Sequence, residues 1–82
     1  MSFSSHRTKV HDESIPLDQR ASHARSCALH VANKLGVARE TVIEAVARET
    51  GISLHAPNTS ERLAAAFQFL DALRQGRESI SA

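Results

Sequence analysis

His23, Cys27 and His30 stand at i, i+4 and i+7, a spacing that stacks three side chains along one side of a helix. Imidazole and thiolate are ligands for zinc, nickel or copper, so the trio has the composition of a metal site. Two neighbours oppose that use. Arg20 and Lys34 fall on the same side and would repel a cation. Cys27 also borders the apolar stripe of the segment, where a free thiol behaves as a small hydrophobe. A metal-responsive regulator built on these residues is therefore the minor alternative to a structural role, and no cofactor is expected. Cys27 and His30 could also form a nucleophile and base, but no orienting third residue or oxyanion site accompanies them. The carboxylates are scattered, and the three glycines are isolated rather than gathered in a phosphate loop. The expectation is a non-enzyme with no evident small-molecule substrate.

The segment carrying this trio must be a helix. From about Asp18 to Leu35 the residues Ala21, Ala24, Ala28, Val31, Ala32 and Leu35 gather on one side at 100° per residue. Gly36 stops it, since a left-handed residue there costs glycine nothing sterically. A second helix is predicted from about Arg39 to Thr50, with Val42, Ile43, Val46 and Ala47 as its apolar side and Gly51 as its stop. Ala38 offers no side-chain cap, an omission worth about 1 kcal/mol. Ile52 is placed to fold back onto Val46 or Ala47.

Residues 52–58 read as a loop, because Pro57 disfavours helix immediately before it. Asn58 and Glu61 have capping-box spacing for a third helix running to about Gln75. Leu63, Ala66, Phe67, Leu70 and Leu73 make its core face. Phe69 widens that stripe to roughly 160°, more than two short helices can readily cover. Leu63, Ala66, Phe69, Leu70 and Leu73 are thus the expected partner or dimer interface. Residues 1–14 lack periodicity and read as a flexible tail, with His6 and His11 solvated, as is His55 in its loop. Ile15, Pro16 and Leu17 form an entry segment. The domain is placed at 15–76, with a frayed tail at 77–82. The pentapeptide Val-Ala-Arg-Glu-Thr recurs at 37–41 and 46–50, but the copies face opposite ways on a helix, so no duplicated site is implied.

Residues 31–46 resemble the bihelical helix-turn-helix unit of bacterial regulators in Ala32, the turn Leu35-Gly36-Val37, Thr41-Val42 and Ala45. The resemblance implies a dimeric DNA-binding protein whose second helix enters the major groove. Ala38, Arg39, Glu40, Ile43 and Glu44 would then face DNA. Arg39 would read bases, while Arg20, Arg25 and Lys34 would meet phosphates. Glu40 and Glu44 would repel phosphates, and Glu44 precedes Arg48 by four residues, the favourable order for a surface ion pair. The run from Leu35 to Val46 is also similar to a family of very short bacterial proteins of unassigned function. That second likeness implies a fold rather than an activity.

Composition limits the remaining classes. Eighty-two residues make one small domain, and with no Trp or Tyr and three Phe its core must be aliphatic. Ten Lys and Arg against nine Asp and Glu leave a net charge of +1, with no global pull toward nucleic acid or anionic lipid. A single cysteine excludes an intrachain disulfide and fits a reduced, cytoplasmic setting. No signal-like or membrane-spanning apolar run is present. The chain is expected to be an all-α three-helix domain, an accessory or regulatory protein acting through protein–protein binding and homodimerisation. DNA binding is the alternative.

Overall fold

The computed structural model describes residues 2–80 and is all-helical. Four helices follow in order: α1 (Phe3–Val10), α2 (Leu17–Leu35), α3 (Arg39–Thr50) and α4 (Ser60–Arg74). The last three are the expected ones, with α3 at the expected bounds. Among the described residues no helix is long and apolar enough to cross a membrane.

α1 lies where the sequence suggested a flexible tail. Its first turn is capped by Ser2, whose side chain accepts from the Ser5 amide. Phe3 and Val10, seven residues apart, share one face and are both buried. That face closes the domain. The Phe3 ring stacks on Phe67 of α4 with centroids 6.0 Å apart, and the Arg74 guanidinium sits 4.4 Å over its centroid. Arg7 pairs with Asp71 of α4 at 3.7 Å.

α2 is the central element and packs against each of the other three helices. Its buried stripe is Ala21, Ala24, Cys27, Ala28, Val31 and Ala32. Small residues let neighbouring backbones come close, so most of the bulk comes from elsewhere. Ile52 and Leu54 of the α3–α4 connection, Phe67 and the leucines of α4 fill the space. Leu35, expected on the buried side, is 42% exposed.

Helix ends follow backbone chemistry. Gly36 has φ +72°, and the Val37 amide donates to the Ala32 carbonyl, closing α2 in a Schellman arrangement. α4 ends the same way: Gly76 donates to Leu73 and Arg77 to Ala72. The segment expected to fray is therefore tied down at Arg77 and Glu78, both of which donate to Ala72, and Ile80 packs on the core. Residues 81 and 82 lie outside the described residues. α3 starts at Ala38 without a side-chain cap, as expected. The start of α4 differs from expectation. Thr59, not Asn58, is the cap and accepts from the Arg62 amide at 3.1 Å, while Asn58 takes a left-handed φ of +74°.

Candidate functional site

Folding α1 onto α2 assembles a histidine cluster. His6 Nδ1 lies 2.8 Å from His23 Nδ1, and the two ring centroids are 5.1 Å apart. The His30 ring is 6.1 Å from that of His6 and meets the Phe3 ring edge-on at 6.4 Å. His6 is half-buried rather than solvated. Burial is the main cause that lowers its pKa below the ordinary imidazole value, and the positive charges His23 and His30 can carry push the same way.

Cys27 does not join this cluster as a ligand. It is fully buried, its Sγ is 3.8 Å from the Phe3 carbonyl, and burial pushes its thiol up to about 12. The expected trio of His23, Cys27 and His30 is corrected accordingly. The histidines remain at the surface of the α1–α2 seam, and the thiol lies beneath α1. Among the described residues no three His, Cys, Asp or Glu side chains stand ready to hold a metal together.

The cations expected to meet phosphates each donate to an oxygen of another segment. Arg20 is only 7% exposed and donates to Ser60 Oγ at 2.8 Å. Its Nε has no hydrogen-bond partner among the described residues. Arg25 donates to the Leu54 carbonyl at 2.8 Å, and Lys34 to the carbonyl of Arg74. Arg39 and Lys34 stay on open surface; Arg39 lies beside Glu40 at 3.4 Å, and Glu40 also meets His55 at 3.3 Å. Ile43, expected to face DNA, is buried in the core. The outer surface of α3 therefore carries Glu40, Glu44 and Glu49 among its exposed residues.

The expected interface on α4 also changes. Leu63, Ala66, Leu70 and Leu73 are buried within the chain, so only Phe69 of that set is open to a partner. α1 covers the α4 stripe at Phe67, through the Phe3 ring, and leaves Phe69 half-buried. Phe69 instead lines a shallow hollow with Ala65, Ala72 and Glu78. A second hollow, on the other side of Glu78, is lined by Lys34, Leu35, Val37, Leu73 and Ile80. Leu35 and Val37 are 42% and 38% exposed, two of the few large apolar side chains left in solvent. This corner has no signature along the chain, since Leu35 falls in the core stripe by periodicity.

No protein-family model, curated protein or solved structure matches the chain.

Proposed function

We propose that this is a non-enzymatic binding protein that self-associates through the apolar corner at the α2–α3 turn. The observation that carries the reading is a pair of open hollows that share Glu78 as a lining residue. Leu35, Val37 and Ile80 line one, Phe69 and Ala72 line the other, and Glu78 borders both. Apolar surface of this kind gains free energy when covered, at about 25 cal/mol per Å². A chain of 82 residues has a thin core and benefits from such cover.

The test is molar mass by light scattering coupled to size-exclusion chromatography. The expected mass is twice the 8.9 kDa of the chain. Val37→Asp should return it to the monomer without loss of helix, because Val37 is outside the core. A wild-type monomer at about 100 µM, well above the dissociation constants of stable dimers, would refute self-association.

One observation supports DNA binding as the second reading. A three-residue turn, Gly36 to Ala38, joins α2 to α3, as helix-turn-helix units require. Against it stand the hydrogen bonds that occupy Arg20, Arg25 and Lys34 and the acids on α3. Binding to random duplex DNA at low salt, lost steeply as salt rises, would favour this reading.

A further inference from the structure

The docking of α1 on α2 sets His6 Nδ1 against His23 Nδ1 at 2.8 Å. We propose that this pair is an acid-released latch: with at most one extra proton it holds α1 down, and with two it lets α1 lift from Cys27 and Phe67.

The proton count follows from the contact. A hydrogen bond between two Nδ1 atoms uses one ring as donor and the other as acceptor. When both rings are neutral, the accepting ring carries its proton on Nε2. A first added proton settles on Nε2 of the donor ring, and the bond survives as a charge-assisted one. A second proton has only the accepting Nδ1 to go to. Two N–H groups then face each other across 2.8 Å, on positive rings with centroids 5.1 Å apart. Both rings are half-buried, so water screens that repulsion poorly. The docked seam therefore excludes one proton that the lifted α1 accepts.

The surroundings add to the exclusion. Burial is the first cause that holds His6 below the ordinary imidazole value, and His23, the amino-terminal charge, His30 and Lys9 follow, all of them positive. The other charges near α1 are engaged elsewhere. Arg7 pairs with Asp71 of α4, which also faces Arg74. Asp12 of the α1–α2 link accepts from Ser14 and acts with Arg20 and Lys9. His11 meets the edge of Phe67 at 5.4 Å. No carboxylate is among the charges that act on His6.

Below the ordinary imidazole value of 6.5 the docked state binds fewer protons than the lifted one. Its advantage is whole above that pH and is lost as the pH falls. One excluded proton weakens docking by at most about tenfold per pH unit, or about 30-fold between pH 7.5 and pH 5. α2, α3 and α4 pack on one another without α1, so the release is local. It uncovers the Cys27 thiol, which lies against the Phe3 carbonyl, and the Phe67 ring, on which Phe3 stacks.

The test is the rate at which dithiodipyridine, a reagent that attacks thiols in acid as well as at neutral pH, modifies Cys27 in the full chain. Dividing by the rate of the urea-unfolded chain at each pH removes the chemistry of the thiol itself. The remaining protection should be steady above pH 7 and about 30-fold lower at pH 5. His6→Asn and His23→Asn should each abolish this pH dependence, whatever protection they start from. His11→Asn and His55→Asn should keep it. Equal protection of the wild type at pH 7.5 and pH 5 would overturn the proposal. So would a slope that survives either substitution in the pair. Helical circular dichroism lost in parallel would overturn it too, because the whole domain rather than α1 would be opening. Should both pair variants unfold, the wild type gives a second measurement. Its Phe3 and Phe67 ring proton resonances should leave their stacked positions over the pH range in which His6 and His23 titrate, and fixed resonances would rule the latch out.

Discussion

Replacing Phe3 by Ala should uncover Cys27. The Phe3 side chain is buried against Phe67, and its carbonyl lies over the Cys27 thiol. Phe→Ala in a core costs about 3–5 kcal/mol. Phe3 occupies the first turn of an eight-residue helix that can relax, so about 2–3 kcal/mol is the appropriate share here. All of it falls on the docking of α1, since Val10 and the rest of the core are untouched. At 1.4 kcal/mol per factor of ten, the population with α1 lifted rises roughly 30- to 140-fold. The closed state contributes no reaction of its own. With its thiol pushed up to about 12, Cys27 is ionised to about one part in ten thousand at pH 8. A thiol reagent such as dithiobisnitrobenzoate at pH 8 therefore reports the opening. The wild type should react slowly, and Phe3→Ala should react faster by that factor while circular dichroism still shows the other helices. A wild-type rate equal to that of the urea-unfolded chain would refute the reasoning, because α1 would then not be covering Cys27.

Two further substitutions test the helix ends. Gly36→Ala meets nothing within 4 Å, yet it must hold φ +72°. It should cost about 1–2 kcal/mol from backbone strain alone, seen as a lower midpoint in a urea melt, and an unchanged midpoint would argue against the left-handed cap. Thr59→Ala should cost about 0.5–2 kcal/mol by removing the α4 cap. Asn58→Gly, which suits the left-handed φ of +74°, should cost nothing, and a loss larger than that of Thr59→Ala would restore Asn58 as the cap.

The long helices were legible because their signals are local. Each glycine stop falls just after the last periodic residue, and the stripes of α2 and α4 repeat often enough to fix a face. α1 offers only two apolar residues, Phe3 and Val10, in an otherwise polar octapeptide. A single pair seven apart is no periodicity, so the helix emerges only when the surface it covers is known. The histidine cluster was illegible for the same reason. His6 and His23 are 17 residues apart, and only the docking of α1 brings them together. The misplaced DNA contacts have another cause. Arg20, Arg25 and Lys34 each reach an oxygen of another segment, at Ser60, Leu54 and Arg74. Charge along a chain does not disclose which cations find internal acceptors.

The link between α3 and α4 is held like a core element. Ile52, Leu54 and Pro57 are buried, Arg25 donates to the Leu54 carbonyl, and Arg62 reaches both Pro57 and Gly51. Loops ordinarily absorb insertions and deletions because their backbone is free. Here one added residue would displace Leu54 from its pocket or break the arginine contacts that hold its position. An added residue is better absorbed by the α1–α2 link, whose residues 11–14 are all exposed. Lengthening there would loosen the tether of α1 while leaving the three longer helices in register.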